Sequence, residues 1–438
     1  MRTNWNPKLR PAGAVAALGL FLLLLGNAGT ARLAVASPAP QCALSGQAKK
    51  PAQKSSRHQK TTRKARTAGK YRPKAAKSAA PVGPPPRTTF TAAEQSAAII
   101  PHIPDARFYA DSEVAYLRTL PTAPGPWLIL SAGGEDGAFG AGLLNGWTAT
   151  GHRPEFALVT GVSTGAMIAP YAFLGPAYDA ALRDAYTTLN AADIFEVGGK
   201  GESMADTWPL RELLAKRITP DLLKAIAAEH ARGRRLFILT TNIDAGRPVA
   251  WDIGAIASRA DDQALELVRK IILASISIPG AFPPVMIEAA ADGRRFSELH
   301  IDGGLAGQFY LAPDSLLAST SKTRLPATDI YIVANMKLTP EFALAERSLS
   351  GILGRTVSIA TKYAIRGGIE QAFAAAKRDG IGFHLAYIDQ AFDAPSRGAF
   401  DTDYMKALYE AGVRKGRSAE PFAHEPVDFS DQPKKTAR

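Results

Sequence analysis

Gly161-Val162-Ser163-Thr164-Gly165 closes the apolar run Phe156-Ala157-Leu158-Val159-Thr160 and sets a serine between two glycines. The stretch reads as strand, sharp turn and helix, with Ser163 at the apex on a strained backbone with an exposed hydroxyl. Gly161 and Gly165 would let strand and helix pass without Cβ clashes. Such a serine is a candidate nucleophile; the bland reading is a Gly- and Ser-rich turn. Upstream, Ser131 to Gly142 is a glycine-rich loop whose Gly133, Gly134 and Gly137 offer backbone N–H groups to a developing oxyanion, each such donor contributing about 3 kcal/mol in the transition state. An ordinary βα turn, or a phosphate cradle, would use the same atoms, but no Gly-Lys-Ser/Thr follows to support a nucleotide. Downstream, Asp302 in Ile301-Asp302-Gly303-Gly304 is the best candidate base, although Asp-Gly-Gly also makes a plain turn. His300 would share the face of Asp302 if the strand continued; it reads better as a core or surface histidine. Nucleophile, base and oxyanion donors are the parts that acyl transfer requires.

These residues need elements to hold them. Trp127 to Leu130 reads as a buried strand before the glycine loop, Leu143 to Thr150 as a helix, and Phe156 as the start of the strand that feeds the elbow. Leu236 to Thr241 and Ile330 to Ala334 are β-branched apolar runs of central-strand type, Asp261 to Ala274 is helical, and Phe296 to Ile301 is an apparent strand before Asp302. Strand and helix alternating in this way build a mostly parallel α/β sheet. Pro170 falls in the second turn of the helix after the elbow, which predicts a kink or an early end. Glu341 to Tyr409 is alanine-rich and reads as helical, the chain after Glu420 as loose, and no internal repeat is found.

Taken in order and spacing, the glycine loop, the Gly-x-Ser-x-Gly elbow and Asp302-Gly303-Gly304 resemble the patatin-like phospholipases. Ala274-Ser275-Ile276-Ser277-Ile278-Pro279-Gly280-Ala281-Phe282-Pro283-Pro284 is similar to a further stretch of that family, and the resemblance covers about residues 126–335. It implies a three-layer α/β/α sandwich with a mostly parallel central sheet, and a lipid acyl hydrolase with a Ser-Asp dyad. Ser163 would attack the ester, Asp302 would take its proton directly, and the amides of Gly133, Gly134 and Gly137 would hold the oxyanion. Gly161, Gly165, Gly303 and Gly304 would support the motifs, and neither cofactor nor metal would be needed. One position departs from the family: Asp136 stands where the loop usually carries a basic residue. A carboxylate there would oppose an oxyanion, so Glu135 and Asp136 are both expected to face solvent or a basic partner.

The 438-residue chain carries a formal net charge of +12. The segment before Glu94 holds 17 of the 52 Lys and Arg and none of the 40 Asp and Glu, so the remainder is mildly acidic, with 35 basic residues against 40 acidic. A nucleic-acid-binding domain is therefore not indicated. Arg2, Lys8 and Arg10 precede the apolar run Ala12 to Gly26 and a small-residue site at Ala34-Val35-Ala36, the layout of an export signal, with an inner-membrane signal anchor as the alternative. Residues 1–36 are thus read as a leader and 37–89 as a disordered basic Lys/Ala/Pro-rich linker. Residues 90–420 are read as the catalytic domain with a helical C-terminal part, and 421–438 as a loose tail. The linker would serve as a spacer or attach the protein to an anionic membrane or envelope surface. Cys42, the one cysteine, allows no intrachain disulfide. Two other readings remain: a Ser-His-Asp esterase, whose chain order points to His384 or His424, and an inactive hydrolase-like protein attached through its basic tail.

Overall fold

Successive residues of the central strands turn to opposite faces, and this alternation builds three layers. Leu128, Leu130, Val159, Leu236 and Ile238 join one buried cluster, while Trp127, Ile129, Leu158, Phe237 and Leu239 join another. The computed structural model describes residues 87–198 and 201–427; the expected leader and nearly all of the expected linker lie outside the described residues. The main sheet contains β1 (Arg107–Tyr109), β2 (Gly125–Leu130), β3 (Leu158–Val162), β4 (Arg235–Asn242), β5 (Arg247–Asp252), β6 (Val285–Ala291), β7 (Arg294–Asp302), β8 (Ala327–Ala334) and β9 (Gly382–Tyr387). Its centre is five parallel strands in the order β4-β3-β2-β8-β9, and β5, β1, β7 and β6 extend the β4 side with antiparallel pairings. Both faces of the parallel centre are covered, which is why its strands are continuously apolar.

On one face lie α1 (Gly137–Thr148), α2 (Thr164–Leu174), α3 (Asp262–Ser275) and the C-terminal helix Thr402–Gly416. The other face is covered by the long helix Leu349–Asp379, through Ile365, Ile369, Ala372, Ala375 and Ala376. The architecture is the α/β/α sandwich expected, with the parallel order confined to the centre of the sheet. Among the described residues no helix is long and apolar enough to cross a membrane.

Three local expectations are corrected. Helix α2 does not end early at Pro170 but runs on to Leu174, with Gly175 in the left-handed region at φ 84°. The proline's missing N–H and ring clash normally disrupt a helix interior; here Ile168, Ala169, Pro170 and Phe173 are all buried against the core, and packing holds the helix together. The glycine loop passes through a 3-10 turn at Gly134–Asp136 and enters α1 at Gly137, earlier than Leu143. The stretch Glu341 to Tyr409 is not helical throughout. Gly380 stops the long helix in the left-handed region at φ 74°, and Gly382–Tyr387 becomes the edge strand β9, with Phe383 and Leu385 buried in one core cluster and Ala386 in the other. Just past Glu420, Phe422 packs against Trp147 and Tyr331, and Ala423 pairs with Leu385. Arg87, inside the expected linker, already pairs with Asp244 at 2.6 Å.

Candidate active site

Strand β4 explains why Ser163 and Asp302 meet although 139 positions separate them. Along one side of β4, β3 pairs in parallel up to Val162 opposite Leu239; the next position, Thr240, pairs with Asp302 at the end of antiparallel β7. Thus β7 enters the lane that β3 vacates, and the two strand ends point at each other. Ser163 Oγ donates to Asp302 Oδ2 at 2.7 Å, and Asp302 Oδ1 accepts the Gly304 N–H at 2.7 Å. Strand β7 is held in that lane by its own buried polar groups. Glu298 pairs with Arg107, and His300 lies between Glu298 at 3.1 Å and the Thr240 hydroxyl at 2.9 Å.

The turn at Ser163 is the strained elbow the sequence predicts, with φ 54° and ψ −120°, a region that costs a non-glycine residue about 1–3 kcal/mol. A Cβ on Gly161 would lie 2.3 Å from the Gly165 carbonyl oxygen, and one on Gly165 would lie 2.4 Å from that of Leu130, so strand, turn and helix pass as closely as the motif requires. Gly303 likewise lies hard against the Leu239 carbonyl. The hydroxyl is not exposed to bulk solvent: Ser163 is 5% accessible and opens instead into two adjoining cavities. One is a cleft of about 300 Å³ lined by Gly133, Gly134, Ser163, Asp302, Leu305, Met336 and Val357. The other is narrow and apolar, running between Met167, Leu189, Ile194, Leu210, Phe282 and Phe400. A larger cavity of about 540 Å³ between Phe90 and Asp244 contains none of these residues.

The three loop glycines are not equivalent. Gly133 and Gly134 line the cleft beside Ser163, Gly134 in the left-handed region at φ 59°. The Gly137 N–H is instead donated to the carbonyls of Gly134 and Glu135, and Gly137 packs against Thr164, where a Cβ would lie 2.0 Å from the hydroxyl oxygen. Its part is to bring α1 up against α2 rather than to face the cleft.

Burial pushes the Asp302 carboxyl up to about 7, against the lowering effect of the hydrogen bonds from Gly304 and Ser163. This places a proton acceptor near neutral pH, where general-base catalysis is most effective. Glu135 and Asp136 do not face solvent and, among the described residues, neither forms an ion pair, which corrects that expectation; Lys337 and Lys362 act on Asp136 only from beyond ion-pair distance. Both are buried; Asp136 accepts the Tyr404 hydroxyl at 2.6 Å, and Glu135 accepts the Phe400 N–H. Burial raises Asp136 to about 7, and burial followed by repulsion from Asp136 raises Glu135 to about 8. A buried carboxyl that keeps its proton does not set a full negative charge beside an oxyanion.

Folded Asp136 therefore holds its proton up to about pH 7, whereas an unfolded aspartate releases it near 3.8. Folding takes up a proton across that window, so this group's contribution to stability falls as pH rises through it. Asp136→Asn, which keeps an acceptor for Tyr404, is expected to gain stability over the parent protein progressively between about pH 4 and pH 8, by up to a few kcal/mol. Ester hydrolysis should stay within about threefold of the parent rate. Denaturant melts and initial rates across pH check both.

Sequence reasoning assigned no role to Ser275 and Ser277, yet they hold the pair together. Ser275 Oγ accepts the Ser163 N–H at 3.0 Å and donates to the Leu239 carbonyl at 2.8 Å; the Ser277 carbonyl accepts the Asp302 N–H at 2.9 Å. Their place in the stretch Ala274 to Pro284 was the available signal. Ser275→Ala leaves a buried N–H unpaired, which is expected to cost about 1–3 kcal/mol in a denaturant melt. A drop in kcat of about tenfold with KM little changed should accompany it, since the elbow loses its anchor.

The two histidines considered for a triad, His384 and His424, lie elsewhere. His384, in the first half of β9, pairs with Asp329 at 2.9 Å and stacks on Tyr331, and His424 sits beside it, facing the Phe383 carbonyl. Three strand spacings separate β9 from β3, roughly 14 Å.

Residues 128–311 match the family model described as patatin-like phospholipase. No protein with a curated description matches the chain. Among solved structures, VipD from Legionella pneumophila aligns at 11% identity and a TM-score of 0.34, over 72% of this chain and 70% of its own. The family match takes in the glycine loop, the elbow, the Ala274–Pro284 stretch and Asp302-Gly303-Gly304, so residues 128–311 form a patatin-like phospholipase domain.

Proposed function

We propose that the protein is a lipid acyl hydrolase that works through a two-residue centre, Ser163 and Asp302. The observation that carries this reading is the 2.7 Å hydrogen bond from Ser163 Oγ to a buried carboxyl raised to about 7. The Ser163 oxygen attacks the ester carbonyl carbon as its proton passes to Asp302 Oδ2. The carbonyl oxygen becomes an oxyanion facing the backbone of Gly133 and Gly134, where each N–H donor contributes about 3 kcal/mol. Collapse breaks the ester C–O bond, and Asp302 returns the proton to the leaving alcohol, with the acyl group left on Ser163. Water then loses a proton to Asp302 and attacks the acyl-enzyme; the proton goes back to Ser163 as the fatty acid departs. The narrow cavity has the apolar lining an acyl chain requires and, at about 40 Å³, would widen to admit one, while the cleft of about 300 Å³ has room for the alcohol side of a glycerolipid. On the same reading the chain is exported, and its basic linker holds it at an anionic envelope surface.

Fatty-acid release from mixed micelles of phosphatidylcholine and phosphatidylglycerol tests the proposal. Release is expected, and it should persist within about threefold in His384→Ala and His424→Ala. No release from folded protein would favour the inactive, attachment-only reading. Abolition by either histidine change would replace the dyad with a triad.

A further inference from the structure

The long helix Leu349–Asp379 is apolar on two faces, and only one of them packs on the sheet. Gly351, Gly354, Ile365 and Ile369 face inward. On the opposite side Leu349, Ile352, Leu353, Val357, Ile359 and Tyr363 fall on one face of the helix and are all exposed, Leu349 to 77%. The loop before the helix adds Phe342 and Leu344, 86% and 87% exposed. Isolated exposed apolar residues are ordinary, but a contiguous stripe of them marks an interaction surface.

Its position and charge select the occupant. Val357, Ala360 and Ala364 line the cleft that holds Ser163 and Asp302, so the stripe runs without a break into the mouth of that cleft; Leu305, 65% exposed, stands on the cleft as well. From Arg347 to Ile369 there is no Asp or Glu, and Arg355 and Arg366 lie along a flank of the stripe, while Lys362 between them is taken up by Glu341 at 2.8 Å. An apolar face with a basic flank is the pattern of a helix that lies in a membrane interface rather than across it.

We propose that the exposed face of residues 342–363 seats the protein on a lipid surface, with the cleft mouth against the bilayer. This rests on the lipid-hydrolase reading for its purpose. A lipid molecule then moves from the bilayer to Ser163 along apolar side chains instead of through water. The docking face is distinct from the basic linker, and its binding should resist salt where the linker's does not.

Flotation of the full-length chain with phosphatidylcholine vesicles, alone and with phosphatidylglycerol, at about 0.5 M salt to screen the linker, tests this. Running every arm in Ser163→Ala as well keeps binding independent of turnover. The parent chain should float with both vesicle types. Leu349→Glu/Leu353→Glu and, separately, Phe342→Ser/Leu344→Ser should each weaken binding by about tenfold or more. Vesicle-lipid hydrolysis should fall in step, while turnover of a water-soluble short-chain ester stays unchanged. Undiminished binding by both double variants would overturn the proposal. So would a parent chain that is dimeric by light scattering and becomes monomeric in the variants, because the stripe would then be a contact between copies. Salt-resistant binding that needs these residues, without any ester turnover, would support the docking face and refute the hydrolase reading alone.

Discussion

Asp302→Asn is expected to lower kcat/KM by about three to four orders of magnitude while leaving the fold intact. The amide oxygen can keep the Gly304 N–H while the amide NH2 turns to donate to Ser163 Oγ, so the side chain stays in place; what disappears is the acceptor that takes the serine proton. On this account the same group is expected to set the pH dependence. Burial raises the Asp302 carboxyl to about 7, so activity in the parent enzyme should fall about tenfold per pH unit below that value as the base becomes protonated. The residual rate of Asp302→Asn should not show this inflection. Initial rates on a soluble ester from about pH 5 to pH 9 separate the two curves. An unchanged inflection in the variant would assign the titration to another group, with Asp136 and Glu135 the nearest alternatives.

Ser163→Ala should remove turnover by about four orders of magnitude or more, and Ser163→Gly should do the same with a different effect on stability. Ser163 sits at φ 54°, ψ −120°, where glycine meets no Cβ penalty, so Ser163→Gly is expected to be more stable than Ser163→Ala by about 1 kcal/mol or more. Paired denaturant melts measure the difference. Its absence would mean that the elbow relaxes when the hydroxyl leaves.

The centre of the site was legible because its chemistry is written in short, local motifs. Strand, elbow and helix are adjacent in sequence, and close backbone passage at Gly161 and Gly165 leaves glycine as the residue that fits. Asp302 was legible from its glycine pair and from the family resemblance; its distance from Ser163 was not, since that depends on β7 entering the lane β3 leaves beside β4. Long-range contacts of this kind leave no periodic trace. The roles of Ser275 and Ser277 were hidden for the same reason, being hydrogen bonds to residues far along the chain. Strand β9 was missed because a short half-apolar run between two helices offers little β signal beyond the Gly380 stop, and packing on Tyr331 and its neighbours in β8 decides the outcome. The burial of Glu135 and Asp136 ran against the usual placement of acids; it depends on Tyr404 and Phe400, more than 260 positions away.

The most direct measurement is labelling with a fluorophosphonate, which reacts with a serine only when that oxygen is activated as a nucleophile. Peptide mapping should place the adduct on Ser163, with labelling lost in Ser163→Ala and slowed by about three orders of magnitude in Asp302→Asn. Folded parent protein that stays unlabelled, or an adduct on another serine, would contradict the assignment of Ser163 and Asp302 as the reacting pair.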